Sequence, residues 1–218
     1  MSLTTQRKDA KSGQADSLVI FLHGYGADGN DLLGLSDVLA DHLPNTVFMA
    51  PNAPDRCTNN PMGYQWFPIP HMDGSSMEMA RQGQLASRKL LNEWLDEVAI
   101  SEGINADRTI IIGFSQGTMM ALDVIPRRRD EIAGIVGISG RLLEPEKLAS
   151  EAVSKPPIML IHGDMDNVVP PASMPEAADA LSKAGFEVYT HVSKGTAHGI
   201  AQDGLGVALQ FILKQLSQ

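Results

Sequence analysis

An α/β fold, doubly wound around a mostly parallel sheet of about 6–7 strands with helices on both faces, is predicted by three observations. Short runs of residues are almost uninterruptedly apolar, as parallel strands covered on both faces must be. Longer amphipathic stretches alternate with them. No repeat, low-complexity segment or linker divides the 218 residues, and a 43% hydrophobic content can fill one substantial core, so a single domain over residues 1–218 is expected.

The elements follow in order after a polar segment, 1–16. The strand runs are Leu18–Leu22, Thr46–Ala50, Thr109–Ile112, Ile132–Ile138, Ile158–Ile161 and Phe186–Val192. Asn30 can cap a helix carrying Leu32, Leu35, Leu39 and Leu43 at helical spacing. Ser75-Ser76-Met77-Glu78 reads as a capping box before a helix with Leu85, Leu90, Leu91, Trp94, Leu95 and Val98. A third helix runs from about Gln116 to Ile125 and stops at Pro126. A fourth lies between Ser173 and Ala184 and closes at Gly185, and the last covers Leu205 to Leu216. Residues 51–75, with several prolines and exposed-looking aromatics, form a loop long enough to be functional or a lid.

Composition excludes some functions. A net charge of −9 argues against nucleic acid or an anionic lipid surface as partner. The single cysteine, Cys57, permits no internal disulfide. The opening MSLTTQRKDAKSGQADS has basic residues but no apolar core for a signal, and the longest apolar runs fall far short of the ~20 residues that span a bilayer. The expected location is cytoplasmic, without stable membrane association.

Ligands of doubly wound sheets sit at the carboxyl ends of the strands, so chemistry is sought just after each run. After TIII the chain reads Gly113-Phe114-Ser115-Gln116-Gly117, an apolar strand meeting a helix through G-x-S-x-G. A serine forced into that turn is presented as a nucleophile, and the glycines remove Cβ atoms that would clash. The alternative is a glycine-rich turn with an idle serine. Such a serine needs a base. Of the six histidines, His23 and His162 precede glycines, where a ring more often ties a loop down. His42 and His71 lie on a helix surface and in the long loop, and His191 falls within a strand. His198 lies between the last strand and the last helix, flanked by small residues. A third member would orient the imidazole; Asp164 and Asp166 both follow IMLIHG, and spacing does not separate them. An oxyanion needs N–H donors from the residue after the nucleophile, Gln116, and from the glycine loop HGYGADG, 23–29. That loop is G-x-G-x-x-G only by letter: Asp28 would repel a phosphate, so dinucleotide binding is rejected. No metal-ligand spacing such as H-E-x-x-H occurs.

At these residues the chain resembles the phospholipase/carboxylesterase family, which includes bacterial carboxylesterases and acyl-protein thioesterases. The matching segments are FLHGYGADGNDL, APNAP, GFSQG, HGDMDNVVP and AHGI, in order across residues 17–217. The resemblance implies an α/β-hydrolase fold without a large cap domain, and hydrolysis of a small-molecule acyl ester or thioester without cofactor or metal. It implies Ser115 as nucleophile, Asp166 as acid, His198 as base, and Tyr25 with Gln116 as backbone oxyanion donors, which makes Asp164 a turn residue. Trp66, Phe67, Met72 and Val168 are expected to face substrate. A homodimer is compatible with it, though the sequence shows no interface. Two departures stand out. Thr118 occupies a position where many relatives carry glycine, and the segment NPMGYQWFPIP points to the bacterial esterase branch. The polar residues 1–16 leave little room for the fold's first strands, so one of them is expected to be missing or short.

Overall fold

The computed structural model describes residues 3–217. The chain runs through β1 (Thr5–Lys8), β2 (Ser17–Leu22), α1 (Gly29–Leu33), α2 (Ser36–Leu39) and β3 (Thr46–Pro51). The long loop contains β4 (Asp55–Arg56), β5 (Tyr64–Gln65) and α3 (Pro70–Asp73). Then come α4 (Met77–Glu102), β6 (Thr109–Phe114), α5 (Gln116–Val124), β7 (Gly134–Ile138) and α6 (Pro145–Glu151). The last elements are β8 (Ile158–Gly163), α7 (Ser173–Lys183), β9 (Val188–Ser193) and α8 (Gln202–Leu216). The main sheet has seven strands in the order β1-β3-β2-β6-β7-β8-β9. Every pairing is parallel except that of β1 with β3.

Continuous apolarity follows from what lies on the two faces. Leu18, Ile20 and Leu22 of β2, with Ile111 of β6, pack against Leu91, Trp94, Leu95 and Val98 of α4. The intervening Val19 and Phe21, with Ile110 and Ile112, pack against Ala208, Phe211 and Ile212 of α8. All six residues of β2, of β3 and of β8 are buried. Burying each Leu, Ile or Phe in this way contributes about 1.5–3 kcal/mol.

Several expectations need correction. The first helix breaks into α1 and α2, and its cap is Asp28 in a capping box with Asp31, not Asn30. Gly34 is a poor helix former, and the Ser36 hydroxyl takes the Leu33 carbonyl, so the backbone ladder is interrupted there. Leu32, Leu39 and Leu43 are nevertheless buried as the spacing requires. The cap of α4 is Ser76, which accepts from Met79 N–H at 3.1 Å, so Glu78 is one residue too early to close a box. Gly185, at φ 88°, does follow α7 as its terminator. The short first strand is β1, four residues of TQRK whose pairing is supplied by backbone rather than by an apolar pattern. The helix α6, opened by Pro145, has only Leu148 buried and leaves no periodic signal in the sequence.

Candidate active site

Strand β6 passes into α5 through one residue, Ser115, held at φ 52° and ψ −115°. That backbone is sparsely populated for a non-glycine residue and persists only where its surroundings over-determine it. The surroundings are close. A Cβ on Gly117 would lie 1.8 Å from the Leu22 carbonyl oxygen, and one on Gly113 would lie 2.5 Å from the Thr118 nitrogen. The start of α5 therefore presses against the end of β2 at Gly117 and folds back on the end of β6 at Gly113, which is why both flanking residues are glycine. Ser115 N–H donates to the Ile138 carbonyl of β7 at 2.8 Å.

Beside it lies His198, in the turn between β9 and α8, its ring stacked obliquely on Phe114 with centroids 4.9 Å apart. Its Nδ1 is 2.8 Å from Asp166 Oδ2. Asp166 follows β8 and is wholly enclosed: Oδ1 accepts the N–H groups of Val168 and Val169, each at 2.9 Å. The ring of His162, also buried, bonds the Val169 carbonyl through Nε2 at 3.0 Å, and the same nitrogen is 3.2 Å from Asp166 Oδ2. Burial alone would raise the Asp166 carboxyl, but hydrogen bonds from His198 and from Val168 and Val169 outweigh it and hold the group below the usual carboxylate range. With Asp166 ionised, His198 Nδ1 carries the proton and donates, so Nε2 is the ring's acceptor. Asp164 instead accepts the Gly195 N–H at 2.7 Å, and Met165 N–H reaches the Thr196 carbonyl at 3.0 Å. These bonds fasten the turn after β8 to the turn that carries His198.

Across the elbow lies the loop after β2. Gln116 opens α5, so its N–H has no intrahelical acceptor. Tyr25 is followed by Gly26 at φ 79°, whose N–H donates to the Tyr64 carbonyl at 2.8 Å; Tyr64 N–H returns the bond to Ala27 at 2.8 Å. Asn60 Nδ2 donates to the Gly26 carbonyl at 2.7 Å. The Gln116 side chain, fully buried, accepts from Trp66 N–H at 2.8 Å and donates to the Phe67 carbonyl at 2.7 Å. His23 is buried and neutral: Nδ1–H donates to Gly24 O at 2.8 Å and Nε2 accepts Ala53 N–H at 2.9 Å, while burial lowers its pKa. The β4–β5 hairpin is thus sewn both to the glycine loop and to the first residue of α5.

The profile of the phospholipase/carboxylesterase family matches residues 5–216. The chain belongs to that family. It is 32% identical to acyl-protein thioesterase 1 of Saccharomyces cerevisiae, over 97% of this chain and 98% of that protein. Among solved structures, esterase PE8 is 41% identical with a TM-score of 0.94, covering 99% of this chain and 100% of that one. Arabidopsis thaliana SOBER1, at 24% identity and a TM-score of 0.79 over 92% of this chain and 99% of that one, shows likeness of fold alone. The protein is a carboxylic ester hydrolase with the α/β-hydrolase fold and no large cap. Among the described residues no helix is long and apolar enough to cross a membrane.

Within this family frame the expected site residues divide. Ser115, Asp166, His198, Tyr25 and Gln116 all lie at the carboxyl ends of β2, β6, β8 and β9. Trp66 and Phe67 do not face a substrate space. Trp66 is 0% exposed in the core against α4, its Nε1–H donating to the His23 carbonyl at 3.0 Å and its own carbonyl accepting from Ser87. Phe67 packs in the same cluster. Loop prolines and polar neighbours made these aromatics look exposed, but a tryptophan with a satisfied N–H is a good core residue. Met72 and Val168 remain exposed, and the Val168 N–H serves Asp166. Sequence reasoning passed over Asn60 and the Gln116 side chain, for which no local signal exists. The expectation that the ring of His162 ties a loop down is met by its bond to the Val169 carbonyl.

Proposed function

We propose that the protein is a serine carboxylesterase acting on small to medium acyl esters through an acyl-enzyme, with Ser115, Asp166 and His198 as its triad. The observation that carries this is the Asp166–His198 bond, closed at 2.8 Å with its carboxylate end enclosed, near a serine held at φ 52°. His198 Nε2 takes the Ser115 hydroxyl proton as the oxygen attacks the acyl carbon, and Asp166 stabilises the imidazolium that results. The N–H groups of Tyr25 and Gln116 donate to the developing oxyanion, aided by the positive end of α5. His198 then protonates the leaving alcohol, and water repeats the sequence to free the acid. Ser115→Ala should lower turnover of a nitrophenyl ester by a factor of order 10⁶. A variant with near-wild-type activity would refute the reading.

A thioesterase acting on longer chains is the second reading, favoured by the name of the yeast relative. Against it, Trp66 and Phe67, the two large aromatics expected to face substrate, are buried in the core and leave a long acyl chain without that apolar contact. Turnover across a series of nitrophenyl esters and acyl thioesters separates the two. A maximum at long acyl chains, or thioesters outrunning matched esters, would select the second.

A further inference from the structure

We infer that Thr118 is a positioning residue for Ser115: its hydroxyl locks the rung of the sheet from which the elbow departs. The inference rests on Ser115 being the nucleophile. The last rung between β6 and β7 pairs Phe114 with Ile138. In a parallel ladder Ile138 addresses the residues on either side of its partner, Gly113 through its N–H and Ser115 through its carbonyl. The second of these bonds, Ser115 N–H to Ile138 O, measures 2.8 Å. The Thr118 hydroxyl lies on the same rung. It accepts the Ile138 N–H at 2.9 Å and donates to the Gly113 carbonyl at 2.7 Å, with the Ile138 carbonyl 2.9 Å away as a second acceptor. One side-chain oxygen therefore touches the carbonyl two residues before Ser115 and both polar groups of the residue that holds the Ser115 amide.

The need for such a lock is visible in the backbone. Ser115 on one side of the rung and Ser139 on the other both have positive φ, 52° and 50°. Two non-glycine residues in that region cost free energy that neighbouring contacts must offset. The seat is cut to threonine. A Cβ on Gly137 would come within 2.7 Å of Thr118 Cγ2, and one on Gly140 within 2.4 Å of Thr118 Cβ. Thr118 is 1% exposed and cannot touch substrate, so its effect reaches the reaction only through the elbow.

Thr118→Val keeps the shape but removes the hydroxyl, and puts a methyl where an oxygen sits 2.7 Å from a carbonyl. Thr118→Ser keeps the hydroxyl. With nitrophenyl acetate, kcat of the valine variant should fall about tenfold to hundredfold, the loss that follows a misplacement of order 1 Å. Its KM should stay within about twofold, the labelling rate by a fluorophosphonate should fall in parallel, and the serine variant should recover most of both. If the valine variant does not fold, Thr118→Ala carries the same expectation. A valine or alanine variant that melts earlier but labels and turns over at the wild-type rate well below its Tm would overturn the inference. So would a serine variant as impaired as the valine one. A wild-type chain that neither labels nor turns over would overturn the esterase reading and the inference with it.

Discussion

Gly117→Ala offers the sharpest test of the elbow, because the added atom has no rotamer with which to escape. Its Cβ would lie 1.8 Å from the Leu22 oxygen, 2.4 Å from the Leu22 carbonyl carbon and 2.9 Å from the His23 oxygen. A comfortable carbon–oxygen contact is about 3.3 Å, so α5 and the end of β2 must separate by about 1.5 Å. Both partners are backbone, one at the end of a strand buried in the middle of the sheet, so neither yields cheaply. Overpacking of this kind costs about 1–3 kcal/mol, and for a domain of this size that lowers Tm by roughly 2–12 °C. The separation also moves Ser115 and the Gln116 N–H away from the glycine loop. Displacement beyond 1 Å should reduce kcat/KM at least about 100-fold. The assay pairs a melt with nitrophenyl acetate turnover at a temperature where the variant is fully folded. Wild-type kcat/KM and Tm together would refute the close approach on which the elbow depends.

Gln116→Ala leaves the Trp66 N–H and the Phe67 carbonyl without partners while keeping its own N–H. At about 1–3 kcal/mol for each unsatisfied buried group it should lower Tm markedly and reduce kcat, as a melt and an ester assay would show. Asp123, whose side chain is wholly enclosed on α5, binds Arg88 of α4 twice, at 2.8 and 2.7 Å, and Arg127 at 2.9 Å. Asp123→Ala removes the enclosed carboxylate but leaves Arg127 with Glu151 and Arg88 with Glu144. It should cost about 1.5–3 kcal/mol in urea unfolding, whereas an effect below about 1 kcal/mol would show the network to be solvated. His23, with its pKa lowered by burial, binds fewer protons folded than unfolded. Its contribution is complete above the ordinary histidine pKa of about 6.5 and is lost as pH falls below it. Melts between pH 7.5 and 5 should show that slope, and His23→Gln, which keeps a donor and an acceptor without titrating, should flatten it. Asp166, with its pKa depressed, adds a second acid-sensitive contribution, complete above the ordinary aspartate pKa of about 3.9 and lost on further acidification.

Much of this was legible in the chain because its signals are local. A strand buried on both faces writes itself as an apolar run, and β2, β3, β6 and β8 fall where their runs lie. The elbow is legible as a local motif, although only Gly113 answers to neighbours in sequence, Gly117 and Thr118, while Gly117 answers to Leu22 at the end of β2. What could not be read depends on distant partners. Trp66 is buried because His23 and Ser87 receive its polar groups, and nothing near residue 66 announces either. Strand β1 exists because β3 offers an unpaired edge, and its own four residues are polar. Asp164 and Asp166 were indistinguishable by spacing; only the fastening of Gly195 to one and His198 to the other tells them apart.

The hairpin inside loop 51–75 has a consequence for how the enzyme could be tuned. Its Asn60 and Tyr64 hold the backbone beside Tyr25, and its continuation at Trp66 and Phe67 holds Gln116. Coupling of this sort is reciprocal: if Tyr25 and Gln116 hold the oxyanion as proposed, displacing the hairpin alters affinity for an oxyanion, and an oxyanion mimic in turn tightens the hairpin. Amide exchange at Gly26 and Tyr64 should therefore slow when a boronic acid occupies Ser115.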